Sequence, residues 1–433
     1  MKQRLIEKYD VQAPRYTSYP PVPYWEKAPT SELWFEHIRQ TFAQKGRRVD
    51  LYIHIPFCRQ ICHYCGCNRI ESSDQGLMRQ YVEALKKEWD LYKNELGNFE
   101  LASLHLGGGT PTWLSVDLLS SLLGHLFEGK ISGSVEVDPR VTTKDHLQLL
   151  FEKGISRLSM GIQDFHPDVQ KKIGRLQEVS VVEKLLNEAR QIGFDEINFD
   201  LIFGLPSQTK ETLAWTFKQV ERLRPETIAF YSFAYVPHFA QNQKMIEITE
   251  IPQGSVKREL YEFGREQLFQ NAYHEIGMDH FALAHSSLSR ALKEKNLTRS
   301  FMGYTVRKAP ILLALGTSSI ASSRLSFIQN EKDINKYIQT VHSGNLPIIK
   351  GHVQTEKDLE VERIIQEIMC LGESDIGNVH PEALNDFIHD ELIEIKGNIL
   401  TVTELGRAFL RNIAHVFDHR FSLHSTKGFS RTV

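Results

Sequence analysis

Four of the five cysteines stand in one short run, His54-Ile55-Pro56-Phe57-Cys58-Arg59-Gln60-Ile61-Cys62-His63-Tyr64-Cys65-Gly66-Cys67, and the fifth, Cys370, lies alone far downstream. Clustered thiols of this kind hold metal in a reducing compartment and are not a disulfide framework. Cys58, Cys62 and Cys65 can wrap three thiolates round one cubane and leave its fourth iron without a protein ligand. Adding Cys67 gives a four-thiolate set suited to zinc or a closed cluster. Spacing alone leaves zinc open, but no second Cys or Cys/His pair with knuckle spacing occurs. The favoured reading is a [4Fe–4S] cluster on Cys58, Cys62 and Cys65. S-adenosylmethionine (SAM) can chelate its open iron through amino and carboxylate groups and yield an adenosyl radical on reduction. The protein's task is then binding, orientation and exclusion of side reactions. His54 and His63 flank the thiols and read as hydrogen-bonding walls, with no catalytic role.

Further polar residues fall at the ends of apolar runs. Gly107-Gly108-Gly109-Thr110 follows Leu104-His105-Leu106, and a glycine run lets peptide groups approach a ligand where a Cβ would block them. Glu136 falls inside Ser134–Val137, Gln163 follows Leu158–Ile162, and Asp200 interrupts Ile197–Ile202. Burying such groups without partners costs roughly 1–3 kcal/mol each, more for a carboxylate, so three in successive strands point to a polar ligand. Arg175, on the loop after Gln163, supplies a cation.

The elements that position these residues alternate. Six β-rich runs, Asp50–Ile55, Ser103–Leu106, Ser134–Val137, Arg157–Gly161, Glu196–Phe203 and Thr227–Tyr235, are separated by helix-like segments, and most are too apolar to keep a solvated face. Met78, Tyr81, Val82, Leu85, Trp89 and Tyr92 recur at helical spacing, as do Val181, Val182, Leu185, Leu186, Ala189 and Ile192, and both stripes read as core. The expected fold is α/β, a partial (βα)6 barrel open on one side with its chemistry at the C-terminal strand ends. Residues 1–48 form an N-terminal extension, in which the proline-punctuated Ala13–Pro21 is expected to run extended over the surface. Residues 49–340 hold the barrel and its extension, and 341–433 a small, mainly helical, winged-helix-like domain with a hairpin at Lys396-Gly397-Asn398.

Across all 433 residues the formal net charge is -3, so no broad basic field marks a nucleic-acid or membrane surface. No apolar run reaches the roughly 20 residues needed to span a bilayer, and Met1–Asp10 lacks a secretory signal, so the expected location is the cytoplasm. Cys370, among Ile364, Ile365, Ile368 and Met369, reads as a small core residue. No apolar surface stripe is evident, and the chain is expected to be a monomer.

The stretches PRYTSYP, YIHIPFCRQICHYCGC, LHLGGGTPTWL, VEVDPR, RLSMGIQDF, NFDLIFGLP, GMDHFA and RNIAHVFD make the sequence resemble, nearly end to end, the oxygen-independent coproporphyrinogen III oxidases (HemN) of the radical SAM superfamily. The resemblance implies that Cys58, Cys62 and Cys65 ligate the cluster, that Cys67 does not, and that two SAM molecules bind. It implies that Tyr52, Gly108, Glu136 and Ile320 contact the SAM on the cluster, and Tyr64, Gly109, Thr110, Gln163, Arg175, Asp200 and Ala234 the second. The implied reaction is oxidative decarboxylation of two propionates of a tetrapyrrole, coproporphyrinogen III, to vinyls, giving protoporphyrinogen IX. It needs a reductant protein for the cluster and an electron acceptor. The resemblance further implies that the N-terminal segment covers the active site, where Arg15 meets a substrate carboxylate. The chain departs from the family at Met302, where glutamine is usual, at Leu283–Ser287, and at Leu371-Gly372 after Cys370. The Met302 change, with the shared cysteine motif, also motivates an alternative, a haem chaperone of the HemW type or an enzyme on another tetrapyrrole.

Overall fold

In a computed structural model, which describes residues 2–306, 309–377, 382–421 and 429, the chain divides into two units. One consists of Pro29–Tyr273 and Lys308–Lys350, the other of Met1–Ala28, His274–Arg307 and Gly351–Val433.

The first unit is built on a parallel sheet. Its strands are β1 (Arg48–Ile55), β2 (Glu100–Gly108), β3 (Gly133–Val137), β4 (Ile155–Gln163), β5 (Glu196–Phe203) and β6 (Thr227–Ser232), each paired in parallel with the next. All six expected runs are strands. A seventh, β7 (Ile311–Leu315), pairs in parallel with the other side of β1, and β8 (Ile320–Ser322) and β9 (Ser326–Asn330) continue antiparallel beyond it. The order β9-β8-β7-β1-β2-β3-β4-β5-β6 runs without closing, so the barrel is partial.

The strands alternate more strictly than their composition suggests. In β4, Leu158, Met160 and Ile162 are buried while Ser159, Gly161 and Gln163 are half-buried; in β5, Ile197, Phe199, Leu201 and Phe203 are buried while Asn198 and Asp200 are not. One face therefore packs in the core and the other is polar, which corrects the expectation that these runs lack a solvated face. The intervening helices include α1 (Gln75–Leu96), α2 (Val116–Leu126), α3 (Lys144–Glu152), α4 (Val179–Ile192) and α5 (Lys210–Leu223). Asp74, Ser115, Thr143 and Thr209 cap the first, second, third and fifth by accepting backbone N–H bonds. The α1 stripe is core throughout, Met78 to Tyr92 being at most 4% exposed, and each such large side chain contributes about 1.5–3 kcal/mol by leaving water. On α4, Val182, Leu185, Leu186 and Ala189 are buried, but Val181 turns outward and is exposed.

The second unit gathers both ends of the chain. Its core joins Leu5, Tyr9, Tyr16 and Tyr19 to Ile364, Ile365 and Ile368 of the helix Glu356–Leu371, and to Leu400, Phe409 and Ile413. The Ala13–Pro21 stretch is irregular as expected but not superficial, Ala13, Tyr16, Ser18 and Tyr19 each being no more than 3% exposed. Its tyrosines bury their rings and keep polar partners, Tyr16 Oη donating to Asp418 at 3.0 Å and Tyr19 Oη meeting His419 Nδ1 at 2.9 Å. The division expected at residues 48 and 340 is accordingly different: residues 274–307 belong with the two ends, and the helix Ser31–Lys45 with the sheet. The hairpin at Gly397-Asn398 is present, Ile393–Lys396 pairing antiparallel with Ile399–Val402, and Glu373–Asp375 adds a third strand. The helical stretch expected near Pro381–Asp390 is seen as Leu384–His389, while Pro381 lies outside the described residues. Cys370 is a core residue beside Ile276, Ala282, Leu297 and Tyr304.

Candidate active site

The cysteine loop leaves the C-terminal end of β1 and is fixed by its backbone. Asn242, on the short 3-10 helix Gln241–Met245, donates its side-chain amide to the carbonyls of Cys62, His63 and Cys65 at 2.9, 2.9 and 3.0 Å. Gln243 beside it donates to the carbonyls of Tyr64 (2.8 Å) and Ala234 (3.0 Å). On the opposite flank His63 N donates to Ile173 O at 2.9 Å, and a Cβ on Gly174 would stand 2.7 Å from His63 Nε2. His63 is thus a packing wall. His54, bonded to Asn68 O at 2.8 Å and to Tyr52 Oη at 3.0 Å, is another.

The sulfurs are left to other partners. Cys58 Sγ lies 3.7 Å from Thr110 Oγ1, and buried Cys62 Sγ accepts from the guanidiniums of Arg175 at 3.6 Å and Arg140 at 3.8 Å. All the cysteines are free. Asp138 ties the two arginines together, at 2.7 Å from Arg140 Nη2 and 3.0 Å from Arg175 Nη1. Burial pushes the Asp138 carboxyl up, but the two guanidiniums outweigh it and hold it at about 2. Arg175 Nη2 also donates to Gly161 O at 2.6 Å.

The glycine turn closes on the same loop. Gly109 N donates to Ile55 O and Thr110 N to Phe57 O, both at 2.8 Å, and a Cβ on Gly109 would stand 2.7 Å from Pro56 O. Gly108, at φ +117°, needs the freedom of glycine, and its N–H donates to Glu136 Oε2 at 3.1 Å. Across the polar face of the sheet Tyr52 stacks on His105, ring centroids 5.7 Å apart, and His105 bonds Ser134 Oγ at 2.7 Å and Glu136 Oε1 at 3.3 Å. Glu136 lies deep, which raises its pKa, yet His105, the Gly108 N–H and His54 together hold it below the usual carboxylate range. Asp200, bonded to Ser159 and Asn198 at 2.9 Å each, goes the other way: burial and the Glu136 charge push it up to about 7.

Most of the expected residues therefore meet. Tyr52, Gly108 and Glu136 share one network, Cys62 and Arg175 another, and Tyr64 and Ala234 are joined through Gln243. Gln163, at φ +69°, closes β4 with its amide beside Gly161 and Arg175. Ile320 stands on β8 opposite Gln329, half-buried. Sequence reasoning passed over His105, Asp138, Arg140, Asn242 and Gln243. His105 carries the same signal as Glu136, a polar residue within an apolar strand. Asn242 and Gln243 sit in a polar stretch that carries none.

Comparison with known proteins decides the family. The radical SAM superfamily pattern matches residues 52–220. The chain is 34% identical to the oxygen-independent coproporphyrinogen III oxidase of Salmonella typhimurium over 96% of this chain and 94% of that one. The chain belongs to the oxygen-independent coproporphyrinogen III oxidase family. The Pseudomonas aeruginosa oxidase is 33% identical over 99% of this chain and 98% of its own. The structure of coproporphyrinogen III oxidase (HemN) from Escherichia coli, described as a radical SAM enzyme, superposes with a TM-score of 0.88 at 33% identity, covering 94% of this chain and 98% of that one. Oxidases of this family use a [4Fe–4S] cluster and SAM. The donor set suits both. The described residues contain no group of three or more His, Cys, Asp and Glu side chains spaced to close on one metal ion, whereas a cubane is wider than an ion and spreads its thiolates. Two guanidiniums donate to Cys62 Sγ, so the fold brings positive charge to the sulfur that would face iron.

Proposed function

We propose that this chain carries out the radical SAM oxidative decarboxylation of two propionates of coproporphyrinogen III to vinyl groups, giving protoporphyrinogen IX. The end-to-end likeness to the E. coli oxidase, at a TM-score of 0.88, carries this reading. Cys58, Cys62 and Cys65 hold the cluster, and Cys67 does not. When bound, the cluster and SAM supply an adenosyl radical that removes hydrogen from a propionate side chain, CO2 leaves, and an electron passes to an acceptor.

The chain's own residues bind and orient. Glu136, kept ionised, takes the amino group of the SAM on the cluster, with Tyr52, Gly108 and Ile320 around it. Arg175 offers its guanidinium to a second SAM among Tyr64, Gly109, Thr110, Gln163 and Ala234. Asp200, with Ser159 and Asn198 already oriented on its oxygens, accepts hydroxyls there. Asn242 and Gln243 position the cysteine loop. We further propose a monomer that receives electrons from a reductant protein in the cytoplasm, where five free thiols stay reduced. No described helix is long and apolar enough to cross a membrane.

The test uses anaerobically reconstituted protein with SAM, a reductant, an electron acceptor and coproporphyrinogen III. The expected product carries two vinyls and two equivalents of CO2 are released. Cluster-replete protein that cleaves SAM but forms no vinyl product overturns the substrate assignment.

A further inference from the structure

The turn that returns β7 into β8 is held from behind by α1. Glu88 of that helix is fully buried and accepts from Gly316 N at 2.9 Å, from Asn330 Nδ2 at 2.6 Å and from Tyr337 Oη at 2.5 Å, the last on the helix Ile334–His342. Asn330 Nδ2 also donates to Gly316 O and Ser319 Oγ, both at 3.1 Å, and Asn330 N donates to Ser319 O at 3.0 Å. Two turns earlier on α1, Tyr81 Oη accepts from Thr317 N at 2.9 Å and donates to His54 O at 2.7 Å. The fit leaves no slack, since Gly316 stands at φ +98° and a Cβ there would lie 2.5 Å from Tyr81 Oη and 2.6 Å from His54 O.

What this turn delivers is Ile320. Tyr52 pairs with Ala314 across β1 and β7, and Leu312 pairs with Ser322 across β7 and β8. Side chains two apart on a strand share a face, so Tyr52, Ala314 and Ile320 stand on one face of the sheet, the face on which Tyr52, His105 and Glu136 meet. His54 joins the same frame, its carbonyl taken by Tyr81 and its ring bonded to Tyr52 Oη. Burial pushes the Glu88 carboxyl up to about 7, and its three partners are a peptide N–H, an amide and a phenol. A hydrocarbon at this point of α1 would escape the desolvation cost but leave Gly316 N without its acceptor. A carboxyl suits three converging donors because it offers two oxygens, where the amide of glutamine offers one and sets N–H against N–H.

We propose that Glu88 and Tyr81 are positioning residues for the SAM on the cluster, fixing the Gly316–Ser319 turn and so the place where Ile320 stands against that molecule beside Tyr52. The inference rests on Ile320 as a SAM contact, part of the reading above, and extends it to two residues that act through the turn.

Full-length, reconstituted protein is titrated anaerobically with SAM, and the change in the electron paramagnetic resonance spectrum of the reduced cluster is followed in rapidly frozen samples. This signal reads the SAM at the open iron and not a second one. Glu88→Gln should keep its iron and sulfide and need about tenfold more SAM for half of the change, as should Ile320→Ala. The double variant should bind no more weakly than the weaker single one, because both act through one contact. Thermal melts check folding, and Tyr81→Phe, expected to lose about threefold, carries the test if Glu88→Gln does not fold. Wild-type SAM binding in the folded, cluster-replete variants overturns the proposal. Losses that multiply in the double variant, or that follow iron content, overturn it too, since they mark a general packing role. If Ile320→Ala binds SAM as wild type does, the Ile320 contact falls and the positioning role with it, whereas a loss in Ile320→Ala alone keeps the contact and removes only Glu88 and Tyr81.

Discussion

Two arginine clusters, one in each unit, balance their charge differently. At the cysteine loop Arg140 and Arg175 share Asp138, and the charge left over points at a sulfur, Cys62 Sγ. In the second unit Asp279 takes Arg15 and its charge acts on Arg411, while Arg299 Nη1 meets no partner. The first cluster turns to a sulfur of its own chain. The second turns to backbone carbonyls, Arg299 to that of Arg15 and Arg411 to those of Ala13 and Pro14. A buried guanidinium is thus matched by whichever acceptor the fold brings to it, a sulfur in one unit and backbone carbonyls in the other.

The sharpest way to break this comparison is to remove the sulfur. Cys62→Ala should lower SAM cleavage by about three orders of magnitude or more and reduce bound iron and sulfide. Retention of both would mean that the two guanidiniums are not there for a cluster ligand. Next in size, Asp138→Asn leaves two buried guanidiniums without their carboxylate and should cost about 3–5 kcal/mol in denaturant melts.

Asp200 gives a pH test of the polar sheet face. Burial and the Glu136 charge push its carboxyl up to about 7 from an ordinary 3.8, so its contribution to stability is fully present below about 4 and is lost as the pH rises toward 7. Asp200→Asn should therefore gain on wild type by about 2 kcal/mol between pH 5 and pH 8 in ligand-free protein, partial exposure having been allowed for. A constant difference across that range would place the Asp200 titration elsewhere. In the second unit, Asp279→Asn should cost less than Asp138→Asn, about 1–2 kcal/mol, because the Arg15 side chain it holds is 31% exposed. If the two substitutions cost the same, the contrast between the clusters disappears. The smallest effect is expected at Cys370→Ala, about 1 kcal/mol by melting with iron content untouched, since that thiol fills space in a small core and makes only a weak contact to Gln366 Oε1 at 3.6 Å.

How far the sequence could be read depended on the kind of signal. Glu136, Gln163 and Asp200 were visible because a polar residue in an apolar strand needs a partner, and the structure supplies one network for Glu136 and another for Asp200. His105 met the same criterion and was passed over. The six parallel strands were legible from their alternation with helices, but β7, five buried apolar residues far downstream, has no period of its own and looks like any core segment. Ala13–Pro21 was misread as superficial because prolines mark irregular backbone without saying where it lies, and only its three tyrosine and alanine side chains, Ala13, Tyr16 and Tyr19, hinted at burial. Asn242 could not be found at all, since an amide in a polar stretch acquires its role only from what the fold brings against it.

That one amide has a consequence for the life of the protein. Asn242 grips the loop by carbonyl oxygens alone, so this hold spends none of the sulfurs and leaves all of them to face whatever the loop is built to carry.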